Sequence, residues 1–284
     1  MPVSASLRGR VPGQVAIRDF VTAQALTRPR TQTALRFGRS PLTSATRELY
    51  RAALGEVVVG EMLDQLGPQW DVLHVVPVAD DEFDPSDGFL AGDGAGESSS
   101  RQIDHLVIGP PGVFAVITEN FPGQEVRVNG EAMTIGSEMV HDVAITRRLA
   151  AKAAERLTAA AGQMVRVEPM VVVVGSKLVA REQPREVTVV ASRHLVRLLT
   201  RLERSITGAQ VAYISDVADR DSTWEAAPTR PEEAIQLDRA FADIREQVQE
   251  ATRARVFWGV FGFLLVASSL WVGTVMIVEN LLRH

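Results

Sequence analysis

The sequence contains no cysteine in 284 residues, which removes disulfide frameworks, thiolate metal centres and cysteine nucleophiles from consideration. Lysine is nearly as scarce: Lys152 and Lys177 are the only two among 30 basic residues, the rest being arginine. With abundant alanine and valine, that skew points to high-GC, bacterial coding. Chemistry that needs an ammonium group has two positions at which to find it. No HExxH is present, and His74, His105, His141 and His194 have no metal-ligand spacing. Aromatic residues make up 6% of the chain, and within the first 41 residues they are Phe20 and Phe37. A stacking platform interleaved with arginines is therefore not supported. Arginines near the N-terminus are followed by no apolar run, so no cleavable signal peptide is expected.

What is present suffices for a folded core. The chain is 46% hydrophobic and 23% charged, a balance that excludes global disorder, and its length suits one large or two small domains. The net charge of −5 is uneven. Residues 1–51 carry nine arginines against Asp19 and Glu48, whereas residues 79–97 carry seven acids and no base. Such blocks pair with each other or with separate partners.

From Val256 to Val278 run 23 residues without a charge. As a helix they span roughly 35 Å, enough for a hydrocarbon core of about 30 Å. The polar residues Ser268, Ser269 and Thr274 can bond back to their own helix. Arg239, Arg245, Arg253 and Arg255 precede the run and Arg283 follows it. The positive-inside rule then predicts a single-pass cell-membrane protein with a cytoplasmic N-terminal domain and a short external tail at 279–284. Ser269 and Gly273 form one small-xxx-small spacing, a candidate weak homodimer face.

Along the rest of the chain, residues 1–41 lack sustained periodicity and read as a basic, mostly mobile arm. A helix is predicted from about Pro41–Ser44 to Gly67, with Leu49, Ala53, Gly60 and Leu63 inward. Strand-like runs follow at 71–78, 102–109 and 112–119, with a hairpin arm at 125–130 and an acidic, Gly- and Ser-rich loop at 79–101. A second helix fits 141–161. PMVVVVG at 169–175 reads as a buried central strand, 187–190 as another strand. Ser192 is placed to cap a helix to about Arg204, and 208–219 reads as a last short helix. Residues 220–231 read as a linker, and a charged helix from Pro231 leads into the apolar run. The domain itself is placed at 42–224, with linker and juxtamembrane helix at 225–255. The order predicts an α/β fold, a mixed sheet flanked by helices, plus one C-terminal transmembrane helix.

Four stretches carry a resemblance to a known family: GEVVVGEMLDQL at 55–66, QIDHLVIGPPGVFAVI at 102–117, FPG at 121–123 and PMVVVVG at 169–175. The segment from about Leu49 to Trp224 resembles the nuclease-related domain (NERD) family, of the restriction-endonuclease-like PD-(D/E)xK fold. The resemblance implies metal-assisted phosphodiester cleavage. An Asp on one strand and an acid on the next hold Mg²⁺, a Lys lies two residues beyond that acid, and a helix Glu completes the shell. Nucleic acid is the implied partner. Glu56 matches the helix Glu and Asp104 the metal-binding Asp, but the acid position falls on Ile117 and the Lys position on Glu119. A hydrocarbon and an anion stand where a ligand and a cation are needed. Glu56, Asp104 and Glu119 are thus candidate remnants of a catalytic and metal site, with Mg²⁺ as the candidate cofactor. Glu56 has an alternative reading as a buried carboxylate bonded to backbone amides. The expectation is a nuclease-fold binding or scaffolding module without catalysis, the alternative a weak metal-dependent nuclease near the membrane.

Two further motifs carry little. GPPG at 109–112 is followed by no Gly-Lys-Ser/Thr and reads as a tight turn. The acids at 80–87 lack the glycine and terminal glutamate of a calcium loop, with Pro85 and Ala91 in those places.

Overall fold

A computed structural model describes residues 6–27, 31–78, 102–224 and 231–282. The acidic segment 79–101 and residues 225–230 of the expected linker lie outside the described residues. The fold is mixed α/β. A five-stranded sheet has the order β1-β2-β3-β7-β9 and a four-stranded sheet the order β6-β5-β4-β8. Their strands are β1 (Asp71–Pro77), β2 (Gln102–Gly109), β3 (Gly112–Asn120), β4 (Glu125–Asn129), β5 (Ala132–Ile135), β6 (Glu138–Val140), β7 (Val167–Val174), β8 (Lys177–Glu182) and β9 (Thr188–Ala191).

In the larger sheet β1, β2 and β3 pair antiparallel, while β7 joins β3 and β9 in parallel. The parallel crossover from β3 to β7 contains the small β4–β6 meander and helix α4 (Asp142–Ala161). β2 is buried at every position and the valine run of β7 lies between two neighbours and two packed faces, which is why both read as continuous apolar runs. One face packs Leu106, Ala115 and Ile117 against Leu149, Ala153 and Leu157 of α4. The other packs Val107, Val116 and Val172 against Val59 and Leu63 of helix α3 (Ser44–Leu63) and Leu195 and Leu199 of helix α5 (Leu195–Arg201). α3 starts at a capping box in which Thr43 and Thr46 exchange side-chain bonds with each other's backbone amides.

The N-terminal arm departs from expectation. Helix α1 (Gln14–Ala25) buries Ile17 and Phe20 completely, and helix α2 (Gln32–Arg36) follows. Phe20 meets Tyr50 of α3 and Phe241 of helix α8 (Pro231–Leu282) edge-on, with centroids 5.4 and 5.8 Å apart. Leu7 is fully buried in the main core, where its amide donates to the Asp219 carbonyl. The described parts of the arm, residues 6–27 and 31–41, thus pack against the domain and are not a separate tail.

Smaller corrections follow from caps and packing. α3 ends at Leu63, not Gly67. Ser192 opens a 3-10 turn, Ser192–His194, and does not cap α5, which ends at Arg201. Helix α6 spans Gly208–Ala218. Within the expected linker, Asp221–Trp224 forms a short helix, α7, whose Trp224 is buried and donates its Nε1–H to the Ala218 carbonyl at 2.7 Å. α8 continues unbroken from Pro231 to Leu282, through the position expected for the start of the tail. Its Ala234–Val275 stretch is long and apolar enough to cross a membrane, and its apolar run is not buried by the rest of the molecule.

Candidate functional site

The sequence-predicted residues lie around one irregularity in the sheet. The β2–β3 ladder runs from Gly109↔Gly112 to His105↔Val116. One step further, Asp104 stands opposite Ile117, and there a side chain takes over from the backbone: the Thr118 amide donates to Asp104 Oδ2 at 2.7 Å. On the other side, the β1–β2 register passes from His74↔His105 to Val76↔Ile103 without a Val75–Asp104 pair. Val75 has φ 54°, a left-handed conformation that costs a β-branched residue on the order of 1–3 kcal/mol. Its carbonyl accepts from Arg10 Nη1. Asp104 therefore sits where main-chain pairing fails on both flanks.

Strand alternation puts Asp104, Ile117 and Glu119 on the face toward α4. The β3–β7 register sets Glu119 beside Val173. Glu119 shares a side-chain hydrogen bond with Asp142, the first residue of α4. Glu56 comes from α3, where it is 4% exposed, and Asp104 is 5% exposed. Electrostatically the four carboxyls act as one group. The charge of Asp104 acts on Glu56, and the charges of Asp142, Asp104 and Glu56 act on Glu119.

Each is held above its ordinary range. Burial, then the charges of Asp104 and Asp19, push Glu56 well up. Burial raises Asp104 to about 7 against the opposing bond from Thr118. Burial and the three neighbouring carboxylates push Glu119 well up. Burial brings Asp142 to about 6, with His141 and the bond to Glu119 pulling the other way. Glu119 and Asp142 thus titrate as one pair, with both carboxyls held above their ordinary range.

What surrounds the acids decides their chemistry. Among the described residues, the charges that act on them are other carboxylates and, for Asp142, the His141 imidazole. Ile117 is 9% exposed and packs into the same apolar cluster as Leu149 and Ala150 of α4. Among the described residues, no group of three or more His, Asp or Glu side chains is arranged to hold a metal ion. Glu56 Oε2 and Asp142 Oδ2 are buried without a hydrogen-bond partner, yet Asp104 spends one oxygen on an amide and Ile117 supplies none. The donor set does not fit the Mg²⁺ centre that the resemblance implies.

Two features were not legible from motifs. Asp142 lies outside any strand motif; the signal for it is an acid in the first turn of a helix, where the positive end of the helix dipole favours one. Beside the acids, His74 and His105 form a ring-nitrogen pair, Nδ1 to Nδ1 at 2.9 Å, with rings at 90°. Burial and the neighbouring imidazole hold His105 well below its usual range, and burial brings His74 to about 4. The prominent surface groove, about 910 Å³ and lined in part by Arg8, Trp70, Arg204 and Ser215, lies at the other end of β2 and β3, beside the Pro110 turn. It does not open on the acids.

Comparison with curated proteins and with solved structures found no match. The family model of the nuclease-related domain matches residues 51–174, from the second turn of α3 to the end of β7, and so takes in Glu56, Asp104, Ile117, Glu119 and Asp142. Residues 51–174 of this chain are a nuclease-related domain.

Proposed function

We propose that the protein is a membrane-tethered domain of restriction-endonuclease-like descent that has lost phosphodiester hydrolysis and serves as a binding or scaffolding module. The observation that carries this reading is the buried carboxyl cluster, whose charged neighbours among the described residues are other carboxylates and the His141 imidazole. A phosphodiesterase must bring a phosphate to a metal and a cation. Here a phosphate would meet three or four acids, one committed to the Thr118 amide, with Ile117 filling the place of a ligand. The uncharged run of α8 supplies the tether, and the arginines before it favour a cytoplasmic domain. Nucleic acid is the partner class that the nuclease-related domain brings with it.

The test is a cleavage assay on the full chain in detergent, with single- and double-stranded DNA and RNA and either Mg²⁺ or Mn²⁺. No metal-dependent cleavage is expected, and the double change Ile117→Glu with Glu119→Lys is expected to bring some. Robust cleavage by the unaltered protein, abolished by Asp104→Ala, overturns the reading. A second reading, a weak metal-dependent nuclease acting near the membrane, draws on the two unpartnered oxygens of Glu56 and Asp142. It requires heat of Mg²⁺ or Mn²⁺ binding in calorimetry that disappears in Glu56→Gln.

A further inference from the structure

We infer that α2 and the turn after it form a membrane-contacting collar around the base of α8, with Phe37 entering the headgroup layer of an anionic bilayer. The inference rests on α8 crossing the membrane, and the experiment below separates the two.

The collar is fastened where the apolar run begins. Trp258 Nε1 donates to the Arg36 carbonyl at 3.0 Å. One helical turn earlier, Arg255 Nε and Nη2 both donate to the Gly38 carbonyl, at 3.1 and 2.9 Å. Gly38 has φ 77°, and a Cβ there would stand 2.6 Å from Arg255 Cα, so only glycine lets the α2 turn lie directly on α8. The uncharged run starts at Val256, so Trp258 lies about 3 Å along it at 1.5 Å per residue. Whatever is bonded to Trp258 shares its depth.

The surface at that level suits a lipid interface. Phe37 is 61% exposed and its ring lies 5.5 Å from that of Trp258. Trp258 in turn contacts Phe257 and Phe261, and those two rings stack at 6.3 Å. Four aromatic side chains thus form one exposed cluster, contributed by two separate segments of chain, at the height where aromatic belts mark the membrane boundary. Arg36, Arg39 and Arg253 are exposed around it, and neither 31–40 nor 251–258 contains an acid. Aromatic rings beside arginines, with no acid in either segment, match the chemistry of an anionic leaflet. A soluble partner would leave the rest of the cluster, which is continuous with the spanning run, facing the same bilayer.

The absence of native cysteine makes each introduced one a unique label site. Full chain carrying Phe37→Cys, Met164→Cys or Trp271→Cys, labelled with a polarity-sensitive fluorophore, is reconstituted into vesicles of phosphatidylcholine and phosphatidylserine containing spin-labelled lipid. Met164, 79% exposed on the loop after α4, is the solvent reference, and Trp271, 70% exposed within the apolar run, reports the span itself. The expected result is quenching at position 37 several-fold above that at 164, and its reduction to the 164 level when Gly38→Ala is added, with 271 quenched throughout. Quenching at 271 but not at 37 overturns the collar and leaves the anchor standing. Quenching at neither site overturns the anchor. A blue-shifted label at 37 without lipid quenching, together with disulfide-linked dimers through that position, assigns the face to a second copy and also overturns the collar.

Discussion

Asp104→Asn should stabilise the protein above neutral pH and have little effect in acid. Burial holds the Asp104 carboxyl at about 7, against 3.8 ordinarily. The folded state therefore keeps a proton that the unfolded chain releases between about pH 4 and pH 7, and stability falls as pH rises through that window. The interval of about three pH units corresponds to roughly 4 kcal/mol once the group is ionised. Coupling to Glu56 and Glu119 makes this an upper bound, so about 2–4 kcal/mol is the expected gain at pH 8. Asparagine is nearly isosteric, and its Oδ1 can still accept from the Thr118 amide, so the gap in the ladder stays closed. Urea unfolding of the full chain in detergent at pH 4 and pH 8, followed by far-UV circular dichroism, reads the difference. A destabilised Asp104→Asn at pH 8, or a gain equal at both pH values, would refute the reasoning and return Asp104 to the role of a needed anion.

The two histidines work in the opposite sense. Their folded values lie below the ordinary one, His74 at about 4, so their contribution is present above about pH 6.5 and is lost as pH falls toward 4. His74→Gln, which can still bond His105, should flatten that acid limb in the same urea series. Gly109→Ala would place a Cβ 2.1 Å from Trp70 Cε3 and should cost about 1–3 kcal/mol, measured as a lower urea midpoint, because ring and strand have to part. Truncation before Val256 should release protein that remains soluble without detergent, since Phe241 and Ala251, which precede that point on α8, are buried. The full chain should resist carbonate extraction from membranes, and its recovery in the soluble fraction would remove the anchor.

The larger sheet was legible because its strands are long and apolar: QIDHLVIG, GVFAVITE and PMVVVVG stand out against any neighbour, and α4 shows its stripe at Val143, Ala150, Leu157 and Ala161. β5, β6 and β8 were not, being three to six residues long with exposed polar positions. α1 was hidden for a different reason. Its inward residues, Ala16, Ile17 and Phe20, meet partners on α3 and α8 far away in sequence, and no local pattern announces a distant partner. At the site, the positions of Glu56, Asp104 and Glu119 followed from motif and alternation. The bond from Thr118 to Asp104 and the pairing of Glu119 with Asp142 did not, since each depends on how separate elements meet in space.

α8 is at once part of the domain's core, through Phe241, and the membrane-directed segment. A flexible leash would let an anchored domain sweep a hemisphere above its membrane; an unbroken helix of 52 residues is a stalk, with no joint at which to swing. Under the proposed anchoring, reach is set by the stalk's height above the bilayer, and approach to a second membrane-bound molecule becomes a search in two dimensions at fixed elevation. Partners that present their surface at that elevation are met repeatedly by lateral diffusion, while equally complementary molecules free in solution must arrive in the one orientation the stalk permits.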